Sequence, residues 1–67
     1  MKKIIQNLEN QLEKLRELIS SREDYVLDRS EKWQESEKCE DYEDKTLEIE
    51  YQADELESVI EELKELQ

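Results

Sequence analysis

The side chains that could do chemistry in this sequence are twenty-one carboxylates, five serines and a single thiol. There is no histidine, so the commonest general base is missing. Ser20, Ser21, Ser30, Ser36 and Ser58 therefore stand without a base that could activate them. No glycine is present, so no Gly-rich loop can cradle a phosphate. One cysteine without histidine cannot build a structural zinc site or a disulfide framework. These absences point away from an enzyme, and no catalytic, cofactor-binding or metal-ligating residue is expected.

The elements that would carry any site follow from hydrophobic spacing. Alternating steps of three and four from Ile5 land on Leu8, Leu12, Leu15, Ile19, Arg22, Val26, Arg29 and Trp33. The same walk from Tyr42 lands on Thr46, Ile49, Ala53, Leu56, Ile60, Leu63 and Gln67. Both series have the 3.5-residue period of helices that pack along a seam. Glu, Lys, Leu and Gln dominate, and no Gly or Pro interrupts them. Neither series places Asp or Glu in its seam, so the inward carboxylates of a helical-bundle metal site are not expected.

The two series are out of phase. From Trp33 the walk would reach Ser36, Glu40 and Glu43, all polar. The expected fold is all-α, an antiparallel two-helix coiled-coil hairpin forming a single domain over residues 1–67. Helix one spans about 3–38, the turn about 38–41 and helix two about 41–66. Lys38 would close the first helix, with Asp41 as N-cap of the second, each charge suiting its end of the helix dipole. Folding at Lys38–Cys39 pairs residues whose numbers sum to 75, so Trp33 meets Tyr42, Arg29 meets Thr46 and Arg22 meets Ala53. Arg16 then falls near Glu57, and Glu9 near Lys64. The competing topology is a three-helix bundle broken at Ser20-Ser21, where Ser20 and Glu23 have capping-box spacing. The unbroken phase through Ile19, Arg22 and Val26 argues against it.

A 67-residue chain is marginal as a lone domain, and neither disulfides nor zinc can help this one. Self-association is the remaining route. Ile4, Leu18 and Tyr25 flank the first seam on one side, and Val59 and Leu66 flank the second on that same side. They widen the apolar face toward that of a four-helix-bundle member, so a homodimer of hairpins is expected through these residues.

Charge is unevenly divided. Residues 1–39 carry nine acids and eight bases, whereas residues 40–67 carry twelve acids and two bases. Asp41, Glu48, Glu55 and Glu62 recur every seven residues, with Asp44, Asp54, Glu61 and Glu65 nearby. Such a face either keeps the chain soluble or offers a rod of negative charge to a basic protein. Direct nucleic-acid binding is disfavoured, because phosphates would be repelled. Met1-Lys2-Lys3-Ile4-Ile5 begins like a secretory signal, but Gln6, Asn7 and Glu9 end the apolar run. No membrane association is expected, and the reading is a cytoplasmic protein whose thiol stays reduced.

Three further residues have two readings each. Cys39, at the expected turn, is an incidental exposed thiol or a redox handle, with Glu37, Glu40 and Asp41 raising its pKa. Arg22 and Arg29 pack their stems in the seam with their heads turned to Glu50, Asp54 or Glu57, or else they specify register. Trp33 and Tyr42 form a clamp at the turn end.

The run Arg29-Ser30-Glu31-Lys32-Trp33-Gln34-Glu35-Ser36-Glu37-Lys38, then Cys39-Glu40-Asp41-Tyr42 and Thr46, resembles a segment of small uncharacterised helical proteins of phages and bacterial mobile elements. In those, a Gly stands where Cys39 stands, followed by an acidic residue, an aromatic and a second helix. The resemblance covers about Asp28 to Thr46 and implies a hairpin, with no activity attached. The expectation is a small acidic structural or interaction module that self-associates through a helical face. The alternative is a phage-type acidic inhibitor that imitates nucleic acid and binds a basic DNA-binding protein.

Overall fold

A computed structural model describes all 67 residues. Every element is helical: α1 Lys2–Leu27, α2 Glu31–Gln34 and α3 Glu37–Leu66. The two long helices lie antiparallel in a rod 51 Å long and 15 by 10 Å across. Their direction is fixed by two cross-helix ion pairs, Arg16 with Glu57 and Glu9 with Lys64. Both pairs are the ones expected from the sequence, and both have residue numbers summing to 73.

The seam follows the expected stripes. Ile5 and Ile19 of α1 and Thr46, Ala53 and Ile60 of α3 are buried, and Leu8, Leu12, Leu15, Arg22, Val26, Ile49, Leu56 and Leu63 are half-buried. Ala53 is fully buried, a small side chain in the α3 stripe between Thr46 and Ile60. α1 runs unbroken through Ser20 and Ser21, which excludes the three-helix alternative.

The turn is not where the spacing placed it. α1 ends at Leu27 rather than near Lys38, and α3 begins at Glu37, so residues 38–41 lie inside a helix. The caps are serines. Ser30 accepts from the Trp33 amide at 3.3 Å and starts α2, and Ser36 accepts from the Cys39 amide at 3.4 Å and starts α3. Each satisfies an amide that the first helical turn leaves unpaired. Asp41 is a mid-helix residue and caps nothing. Gln34 Nε2 donates to the carbonyls of Val26 and Arg29, at 2.9 and 3.0 Å, and so closes the end of α1. No residue has positive φ, so the glycine-like cap implied by the resemblance is not used at Cys39.

The two flanking ion pairs keep their expected partners, but Arg22 meets Thr46 and the Tyr42 carbonyl rather than Ala53, and the nine-residue connection does not cross directly from helix to helix. It runs alongside the start of α3, and α2 packs there. With Leu27 level with about position 46, α3 projects roughly two to three turns beyond the end of α1. The connection covers that overhang.

Candidate interaction surfaces

Four surfaces arise from this frame: an aromatic cluster at the turn, two flanks of the seam, and the outer face of α3.

The turn cluster begins with the overhang of α3, which needs an apolar cover. Trp33 supplies it, with its ring 6.0 Å from that of Tyr42 and nearly edge-on. Tyr25 completes a trio, 5.8 Å from Trp33 and 5.1 Å from Tyr42. Such offset and edge-to-face geometries suit ring quadrupoles. Arg22 lies over the Tyr42 ring at 3.9 Å, and Arg29 lies over Tyr25 and Trp33 at 5.2 and 5.4 Å. The expected Trp33–Tyr42 clamp is present, but Tyr25 belongs to it as well as to the flank assigned from sequence.

Arg22 is the polar key of the seam. Its Nε donates to Thr46 Oγ1 at 2.8 Å, and its Nη2 donates to the Tyr42 carbonyl at 3.0 Å. Thr46 Oγ1 in turn donates to that same carbonyl at 3.0 Å. The guanidinium therefore turns to a hydroxyl, a carbonyl and a ring, not to Glu50, Asp54 or Glu57 as expected. Arg29, assigned to Thr46 from sequence, is exposed and stays with the aromatic rings. Every buried side-chain nitrogen and oxygen is hydrogen-bonded.

Cys39 is buried in the seam, one step before Tyr42, and is not an exposed turn thiol. Its Sγ donates to Glu43 Oε1 at 3.5 Å. Burial pushes its pKa up, the hydrogen bond to Glu43 adds to this, and the charges of Glu43 and Glu40 act in the same direction. The apolar stripe of α3 does not end at Tyr42. One further step back lands on Cys39.

The seam has two unlike flanks. One is formed by Glu9, Arg16 and Glu23 of α1 with Glu43, Glu50, Glu57 and Lys64 of α3, so every position is charged. Toward the chain termini those charges are paired: Arg16 Nη2 lies 2.7 Å from Glu57 and 3.2 Å from Asp54, and Lys64 Nζ lies 3.4 Å from Glu9.

The other flank is formed by Ile4, Gln11, Leu18 and Tyr25 with Lys45, Gln52, Val59 and Leu66. It contains no carboxylate, in a chain where almost a third of the residues are acidic. Ile4, Leu18, Tyr25, Val59 and Leu66 are all exposed, Leu18 and Val59 by 46% each. On this side a groove of about 740 Å³ opens between the helices, with the half-buried seam residues Leu15 and Ile49 in its wall and Glu48 of the acidic stripe at its α3 edge.

The outer face of α3 carries the acidic stripe. Asp41, Asp44, Glu48, Glu55, Glu61 and Glu62 are all exposed, and none takes part in an ion pair. Because α3 starts at Glu37, all six stand on one uninterrupted helix. No three carboxylates, with or without the thiol, are grouped closely enough to hold a metal ion. No helix is long and apolar enough to cross a membrane.

No family model, curated protein or solved structure matches this chain.

Proposed function

We propose that this chain is a protein-interaction module that self-associates through its carboxylate-free flank, two hairpins pairing into an antiparallel four-helix bundle. The observation that carries this reading is the contrast between the flanks. One is saturated with charge, while the other offers Ile4, Leu18, Val59 and Leu66 with only amides and one lysine between them.

Surface area supports it. A compact monomer of 8.2 kDa exposes about 4,500 Å². This chain exposes 5572 Å². The excess, about 1,100 Å², goes with the elongated rod shape and is large enough to supply the roughly 800 Å² that each partner buries in an ordinary stable interface. Only six residues are buried in the hairpin itself, so a second seam would add materially to a thin core.

The test is thermal unfolding at several concentrations. An associating fold has a Tm that rises with concentration, because mass action favours the assembled state. Leu18→Glu with Val59→Glu should make Tm independent of concentration. A wild-type Tm that does not move between about 5 and 500 μM, a range that shifts a dimer's stability measurably, counts against the proposal.

A second reading rests on the exposed, unpaired stripe of α3. A basic DNA-binding protein could take this acidic helix in place of nucleic acid, in keeping with the resemblance to phage and mobile-element proteins. Its affinity would fall steeply with added salt. Reversing Glu48, Glu55 and Glu62 to Lys would abolish it without disturbing either seam. A partner held equally well by the reversed chain would eliminate this mechanism for that partner.

A further inference from the structure

The charged flank changes character along its length. Toward the termini its carboxylates meet Arg16 and Lys64. Toward the turn it has Glu23, Glu43 and Glu50, and none of these is in an ion pair. The one cation beside them, Arg22, commits its Nε and Nη2 to Thr46 and to the Tyr42 carbonyl. Between the three carboxylates a groove of about 410 Å³ opens along the end of α1. Two leucines line it, Leu27 and Leu47, exposed by 74% and 47%. Apolar side chains this exposed contribute little to the hairpin, since burial is what makes them stabilising.

From this juxtaposition of two exposed leucines and three carboxylates without an ion-pair partner, of which Glu43 also accepts from the Cys39 thiol, we propose a docking site for a cationic segment with one apolar anchor. Its occupant is a peptide stretch in which a leucine-sized side chain is flanked by Lys or Arg. The anchor covers Leu27 and Leu47, and the flanking cations reach Glu23, Glu43 and Glu50. Charge complementarity selects this occupant over an apolar or acidic segment. A second hairpin would bring the same three carboxylates and is repelled here. The carboxylates are not gathered tightly enough for a metal ion to be the occupant. The site lies on the flank opposite the proposed self-association face, so each hairpin of a dimer keeps its own copy. It differs too from the outer stripe of α3 in lying between the helices, with Val26 and Leu27 of α1 facing Leu47 across it.

Fluorescence anisotropy with a labelled synthetic peptide, one leucine between pairs of lysines, tests this on the full chain. The leucine peptide should bind about tenfold more tightly than the same peptide with serine at that position. Leu47→Asp should weaken binding by a similar factor, although it adds a negative charge. Glu43→Gln with Glu50→Gln should weaken it too, while Glu48→Lys with Glu55→Lys and Glu62→Lys should leave most of the leucine preference. Circular dichroism of each variant shows whether the helices persist; Leu47, being exposed, can change without touching the seam. Binding by the Leu18→Glu, Val59→Glu chain should equal that of wild type, which separates this site from the self-association face. Equal affinity for the leucine and serine peptides, no binding of either, or tighter binding by Leu47→Asp would overturn the proposal.

Discussion

Arg22 shows how one residue sets the register of the hairpin. Its fork bridges α1 to a hydroxyl and a carbonyl one turn apart on α3, and its flat face lies on Tyr42. A lysine has no such fork, so Arg22→Lys should cost about 1–2 kcal/mol in chemical denaturation. Ile60→Ala should cost about 2–5 kcal/mol, a large fraction of what so small a core can supply. Arg22's place in the seam was visible in the spacing, but its partners were not. The sequence shows many carboxylates within an arginine's reach, and nothing in it signals that a threonine four residues after a tyrosine frames a better acceptor pair.

Cys39 makes a pH-dependent claim. Its folded pKa is raised, so the folded state holds the thiol proton more tightly than the unfolded state. Its contribution to stability is complete below the ordinary thiol pKa of about 8.5 and declines as pH rises toward the folded value. Urea midpoints measured between pH 7 and pH 10 should therefore fall more in the wild type than in Cys39→Ala. A thiol reagent should label Cys39 slowly in the native chain and at once in denaturant. Fast labelling of the native chain contradicts the buried placement.

Among the elements, the two long helices were legible because their stripes repeat without slipping for more than twenty residues each. The connection was not. Arg29 and Trp33 continue the first stripe's spacing although the helix has already ended at Leu27, because Trp33 reaches Tyr42 by folding back rather than by staying helical. A local signal was available: Ser30-Glu31-Lys32 and Ser36-Glu37-Lys38 repeat six residues apart, and each serine starts a helix with an acid just behind it. Ser36→Ala should cost about 1 kcal/mol, since it uncaps the thirty-residue α3. Ser30→Ala should cost less, because only the four-residue α2 depends on it. Both are read from Tm shifts. α1 also opens on Lys2 and Lys3 and closes on Asp24 and Asp28, charges that oppose its dipole at both ends. Its helicity therefore depends on α3, and an α1 peptide alone should be largely unfolded by circular dichroism.

For the whole molecule, charge and apolar area pull in opposite directions. A net charge of −11 repels a second copy, and the carboxylate-free flank is the one side where that repulsion is least. Added salt should therefore strengthen self-association and weaken binding of any cationic segment. The flank itself was legible, since Ile4, Leu18, Val59 and Leu66 keep heptad spacing. The turn-end groove was not, because Leu27 and Leu47 fall outside both stripes. The central claim is that the hairpin is half of a larger bundle. Light scattering coupled to size exclusion, at about 50 μM in moderate salt that screens the charge, tests it directly. The expected mass is twice the 8.2 kDa of the chain, falling to 8.2 kDa for Leu18→Glu with Val59→Glu. A wild-type mass of 8.2 kDa under those conditions would contradict it.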